Sequence, residues 1–204
     1  GNDVILVEAD EFDRSFHTLF PNIACVTSVD PDHLDIYNSK EELKKSFFQF
    51  INNIKPEGIL FSNEKTLLGG VSYGFSSNCE YFISNYSATN YSSFFDINHN
   101  GNIIASIKFN MLGKHNALNA LVAFAIGREL NIDDNSITNS LSTFLGVKRR
   151  FSFALKAPKI IIDDYAHHPS EIKVVYDTVK DLYPDKSNTA IFQPHLYTRT
   201  RDFM

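Results

Sequence analysis

The run HNALNALVAFAIGREL, residues 115–130, is apolar on almost every side of a helical turn. A helix of this kind offers no face to water, so neighbours have to cover it on more than one side. It is too short to cross a bilayer, and no other apolar run among the 204 residues reaches that length. The chain must therefore build layers around it. The runs that supply those layers are short and rich in β-branched residues. Val4–Val7 and Ile23–Val29 read as buried parallel strands, each followed by acidic residues. Ser39 and Glu42 have capping-box spacing, and Leu43, Phe47, Phe50, Ile51 and Ile54 recur at helical spacing, which predicts a helix over 40–54. Gly58–Ser62 predicts a further strand. Strands alternating with helices specify an α/β architecture with a parallel sheet.

Between residues 72 and 110 the composition shifts to Ser, Asn, Tyr and Phe. The stretch DINHNGNIIASIKF alternates apolar residues about an Asn-Gly pair, a hairpin signal, and Phe94, Phe95 and Phe109 argue for a packed β-appendage. A helix over Ser136–Leu145 is expected to stop at Gly146. The segment Gly146–Arg150 reads as a boundary. After it the rhythm restarts with a strand at Lys159–Ile162, a helix at Ser170–Leu182 and a strand at Thr189–Phe192. A second α/β domain is expected there, and both chain ends read as cut from something larger.

A formal charge of −5 argues against a general nucleic-acid binder. Cys25 and Cys79 have no framework spacing and read as unpaired thiols of a reducing compartment. No signal pattern opens the chain, so a cytoplasmic setting is the default. The positive charge is knotted at Lys148, Arg149 and Arg150 and again at Arg199 and Arg201, which suits local binding of phosphates or carboxylates.

Candidate chemistry collects at the ends of the predicted strands. EADEFD places Glu8, Asp10, Glu11 and Asp13 just past a strand, where carboxylates suit a hard cation such as Mg²⁺; solvated loop charge is the plain alternative. DPDHLD adds Asp30, Asp32, His33 and Asp35 after the next strand. GKHNALN puts Asn116 and Asn119 on one face at a helix start, able to meet a purine edge or simply to cap the helix. IDDYAHHPSE lies on a strand-to-helix turn, where ligands bind in open α/β sheets, although Asp163 or His168 would equally serve as a cap before Pro169. QPHLYTRTRD again follows a strand.

Taken in order, EADEFD, DPDHLD, GKHNALNA, GVKRRF, DDYAHHP and QPHLYTRTR resemble the Mur ligase family. They are most similar to its branch that joins L-alanine to UDP-N-acetylmuramate, and next to its muropeptide-recycling branch. The resemblance implies a P-loop-type central ATP-binding domain, here residues 1–148 without its glycine-rich loop. The start of a Rossmann-like amino-acid domain would follow at 149–204. It implies ATP and Mg²⁺ as cofactors, an acyl-phosphate intermediate, and no nucleic-acid or membrane partner. By position, Glu8 and His33 match metal ligands, Asn116 an adenine contact, Arg150 a phosphate-facing arginine and Asp164 a ribose contact. Tyr165, His167, His195 and Arg199 match the groups facing alanine and the muramoyl carboxylate. His33, Arg150, His167 and Arg199 form the implied catalytic set, and His168 and Pro169 keep a capping role. Two departures stand out. Phe48 falls where related ligases carry a carbamylated lysine, and Leu196 stands where the alanine branch often has arginine. These 204 residues alone are expected to be inactive. A metal-dependent hydrolase built on Asp30, Asp32, His33, Asp163 and His167 is the competing enzyme reading, and a binding or oligomerisation module the non-enzymatic one.

Overall fold

The computed structural model describes residues 4–30, 37, 39–89 and 91–194, and the chain is mixed α/β. It divides into two compact units, Gly1–Val71 and Ser72–Met204.

In the first unit a 3-10 turn, Phe12–Thr18, precedes strand β1 (Ile23–Val26), helix α1 (Lys40–Asn52) and strand β2 (Ile59–Asn63). β1 and β2 pair in parallel, Ile23 opposite Ile59 and Val26 opposite Ser62, as a strand–helix–strand crossover requires. α1 starts because the Ser39 hydroxyl accepts from the Glu42 amide at 3.2 Å. Leu43, Ser46, Phe47 and Phe50 are buried along one stripe of it. The core forms where that stripe meets Phe16, Ala24, Val26, Tyr37, Leu60 and Leu68. Phe16 stacks on Phe50 at 5.1 Å and meets Phe47 edge-on at 5.5 Å.

The expected strand at Val4–Val7 does not form. The run is irregular and open to water, with Leu6 95% exposed. A strand read as buried on both faces needs partners on each side, and among the described residues no ladder pairs with it.

In the second unit β3 (Val71–Gly74) pairs in parallel with β4 (Tyr81–Thr89). β4, β5 (Ser92–His99) and β6 (Asn102–Phe109) then form an antiparallel meander. The Asn-Gly hairpin is as expected: Asn100 and Gly101 have φ of 50° and 82°, the doubly left-handed pair that matches the twist of the flanking strands. Phe95, Ile97, Ile107 and Phe109 point inward, and helix α2 (Lys114–Glu129) lies on β4 and β5 with Ala117, Ala120, Leu121, Phe124 and Ala125 buried.

Helix α3 (Asp134–Thr143) runs beside β6 and is tied to α2 by Arg128 Nε, 3.0 Å from the Asp134 carboxylate. It ends two residues earlier than expected. Phe144 turns extended and stacks on Phe109 at 6.1 Å, so an aromatic contact, not Gly146, stops the helix.

Beyond it, β7 (Ser152–Leu155) and β8 (Ile161–Asp163) pair antiparallel, and helix α4 (Pro169–Leu182) follows. The strand expected at 189–192 is also absent, and Ile191 is 97% exposed. No ladder partner reaches it among the described residues.

Candidate functional site

The loop from Asn110 to Asn116 is held on several sides. The Ser93 hydroxyl donates to the Met111 carbonyl at 2.8 Å, and the Asn110 amide to the Ser142 carbonyl at 2.7 Å. Gly113, at φ 97°, turns the chain into α2. A Cβ at that position would lie 2.6 Å from His115 Cε1 and 3.2 Å from the Thr178 hydroxyl of α4, so both backbone and space require glycine. Asn116 is 5% exposed and donates its amide to the Leu112 carbonyl at 2.8 Å, which clasps the loop to the first turn of the helix.

His115 sits in the same place with Nδ1 buried and without a hydrogen-bond partner. Burial pulls the imidazole below its ordinary value; the Asp164 carboxylate raises it and the Arg150 guanidinium lowers it.

Those two charges arrive from the segments flanking the β7–β8 pair. Asp164 accepts from the Phe151 amide at 2.8 Å with one carboxylate oxygen and from the Ala166 amide at 2.7 Å with the other. The Tyr165 amide donates to the Arg149 carbonyl at 2.8 Å, and the Arg149 guanidinium covers the Tyr165 ring at 4.7 Å. These contacts bring residues 149–151 against 164–166. Arg150 keeps its side chain 53% exposed, its nearest carboxylate being Glu171 at 3.9 Å.

Glu171 is a residue the sequence reading missed. Its carboxylate accepts from the amides of His167 at 3.0 Å and His168 at 3.2 Å. It also lies 3.5 Å from His167 Nδ1, which contacts the Tyr165 carbonyl at 2.9 Å. His168 Nδ1 accepts from the Ser170 amide at 3.3 Å, ahead of Pro169 at the first helical position, as the capping reading expected. The signal for Glu171 was present: it stands three places after the cap, at capping-box spacing, but a histidine occupies the place usually held by Ser or Thr.

The second unit therefore gathers Asp164, Tyr165 and His167 on one turn, brings Arg150 toward it, and sets His115, next to Asn116, in the field of Arg150 and Asp164. The turn region can hold a polyanion beside a polar ring. It combines an exposed guanidinium with a buried, unpartnered imidazole nitrogen. Glu8, in the first unit, is exposed. His33, His195 and Arg199 lie outside the described residues, as do Asp32, Asp35 and Arg201. Among the described residues no group of three or more His, Cys, Asp or Glu is close enough to hold a metal ion.

A family model described as the Mur ligase middle domain matches residues 3–127. Curated UDP-N-acetylmuramate–L-alanine ligases from Christiangramia forsetii and Flavobacterium psychrophilum are each 46% identical to this chain over 204 residues. The match covers all of the chain and 45% and 46% of those proteins. The chain thus spans about half the length of the curated relatives it matches. Among solved structures, the UDP-N-acetylmuramate-alanine ligase MurC of Thermotoga maritima superposes with a TM-score of 0.76 at 30% identity, covering 89% of this chain and 43% of that one. A MurF structure from Acinetobacter baumannii, 19% identical with a TM-score of 0.70 over 80% of this chain and 38% of that one, shares the fold.

Proposed function

Because the chain belongs to the Mur ligase family, we propose that it forms part of an ATP-dependent ligase that joins L-alanine to UDP-N-acetylmuramate in peptidoglycan precursor synthesis. The observation that carries this reading is the meeting of two segments distant in sequence. The loop before α2 brings His115 and Asn116, and the turn after β8 brings Asp164; His115 feels the charges of Asp164 and Arg150, and Gly113 of the same loop stands against Thr178 of α4. In this reading residues 1–148 belong to the ATP-binding domain and 149–204 open the amino-acid domain. A cytoplasmic setting goes with the reading, and among the described residues no helix is long and apolar enough to cross a membrane.

Bound ATP supplies the phosphoryl group that turns the muramoyl carboxylate into an acyl phosphate, whose phosphate the alanine amine then displaces. Phosphoryl transfer asks a protein chiefly for alignment and charge neutralisation. Arg150, half-exposed and held only loosely by Glu171 at 3.9 Å, is the group to neutralise phosphate oxygens. Asp164 already accepts two backbone amides, and its remaining lone pairs suit a ribose hydroxyl. Asn116, with its amide nitrogen on Leu112, keeps its carbonyl oxygen to accept from an adenine amine. Tyr165 and His167, on the same turn, are the side chains we assign to the alanine and muramoyl end, together with His195 and Arg199. For Mg²⁺ the reading assigns Glu8 and His33. These two side chains would leave most of the ion's positions to water and phosphate oxygens, the usual way Mg²⁺ is held beside a nucleotide.

The test is phosphate release by the full-length enzyme with ATP, Mg²⁺, UDP-N-acetylmuramate and L-alanine, omitting one component at a time. Release that stops when either alanine or the UDP-sugar is omitted is expected. Release that persists without alanine would overturn the reading in favour of a hydrolase.

A further inference from the structure

The turn between β4 and β5 carries Tyr91, whose φ of 68° places it in the left-handed region, uncommon for a bulky side chain. Nothing in the hairpin alone requires tyrosine there. What it meets comes from the C-terminal part of the chain. The Phe153 ring of β7 stands edge-on to Tyr91 with centroids 4.7 Å apart, and the Lys156 ammonium lies 4.3 Å from the Tyr91 centroid and 5.6 Å from that of Phe153. Phe153 is backed in turn by the buried Phe151, 5.8 Å away. At the far end of α4, Tyr183 is close enough for the two phenols to influence each other, its own hydroxyl being raised chiefly by burial and then by Tyr91.

This aromatic contact is continuous with the loop before α2. Directly after Tyr91, the Ser92 hydroxyl donates to Asn110 at 3.3 Å and the Ser93 hydroxyl to Met111 at 2.8 Å. Gly113 stands against Thr178, one helical segment before Tyr183. On the other side Phe151, which donates its amide to Asp164, belongs to the segment that Phe153 anchors. Tyr91 therefore sits between the loop of Asn116 and the turn of Asp164.

We propose that Tyr91 is a positioning residue: it docks β7 against the β4–β5 turn, and so sets the distance between the Asn116 loop and the Asp164 turn. The inference rests on the nucleotide reading for its kinetic consequence, and on geometry alone for the docking. An edge-on aromatic pair and a cation over a ring are individually modest, but together they hold β7 on the β4–β5 turn.

The experiment uses the full-length enzyme with Y91A, Y91F, F153A and the Y91A/F153A double variant. Loss of both contacts in Y91A is expected to raise the KM for ATP by about tenfold and to leave kcat within about twofold. Y91F keeps the ring and is expected to behave as the unsubstituted enzyme. The double variant should fall short of the sum of the two single effects, because both changes remove the Tyr91–Phe153 contact. Amide hydrogen exchange without nucleotide gives a readout that does not depend on activity. Peptides covering 150–165 should exchange faster in Y91A than in the unsubstituted enzyme or Y91F, with β1 and β2 unchanged. Unaltered exchange at 150–165, or full additivity of Y91A and F153A, would overturn the proposal. If Y91A does not fold, K156Q replaces it, with exchange at 150–165 again deciding. An enzyme that releases no phosphate at all defeats the functional reading, while the exchange result still decides the docking.

Discussion

Asp164 shows how one carboxylate can brace a turn from both of its oxygens. Each of its oxygens accepts one backbone amide, so the turn's shape depends on the residue that the resemblance assigns to a sugar. The neighbouring His115 makes a prediction at this scale. Its folded pKa lies below the ordinary 6.5, because burial disfavours the imidazolium more than Asp164 favours it. The unfolded chain therefore takes up the proton first on acidification. The neutral ring's contribution to stability is full above 6.5 and is lost as the pH falls through that value toward the lower folded one. Thermal unfolding between about pH 7.5 and 5.5 should show Tm falling more steeply for the unsubstituted protein than for H115Q. Equal slopes would mean that another group titrates. Neither the burial of His115 nor the Phe151 amide on Asp164 was legible in GKHN or DDYAHHP. His115 feels charges 35 and 49 positions away, and Phe151 reaches Asp164 across a strand pair, which no local motif encodes.

At the scale of elements, α1, α2, α4 and the Asn-Gly hairpin were all readable in advance, because caps, helical spacing and paired left-handed turn residues act within a few positions. Ser39 illustrates it. Its hydroxyl satisfies one of the amide groups that the helix cannot pair internally, and Ser39→Ala should cost about 1 kcal/mol in urea unfolding, with glycine there costing less. Strands were read less well. Ile23–Val26 and Ile59–Asn63 form because each finds the other, whereas Val4–Val7 and 189–192, equally apolar, remain unpaired among the described residues. The antiparallel β7–β8 pair was half missed for the same reason: Ser152–Leu155 has no strong β pattern and becomes a strand by pairing with Ile161–Asp163.

Over the whole molecule, each unit is built around its own set of packed elements. The first is an aromatic core around Phe16, and the second a meander covered by α2. Phe16→Ala should cost about 3–5 kcal/mol, since it removes a ring packed on Phe47 and Phe50. Hydrogen exchange should place the effect: faster at β1 and β2, unchanged at β5 and β6. Equal acceleration in both units would show that they open together.

Composition and spacing were enough to determine the α/β class, most of the helices and the hairpin, and the resemblance carried by six short motifs in order pointed to the Mur ligase family. All of these follow from local propensity or from residue types read in sequence. Tertiary structure alone decided which apolar runs became strands, that the Phe151 amide braces Asp164, and that Tyr91 meets Phe153 and Lys156. The physical reason is that a helix satisfies its backbone within its own segment. A strand, the Phe151 brace on Asp164 and an aromatic contact are each completed by groups brought from elsewhere in the chain.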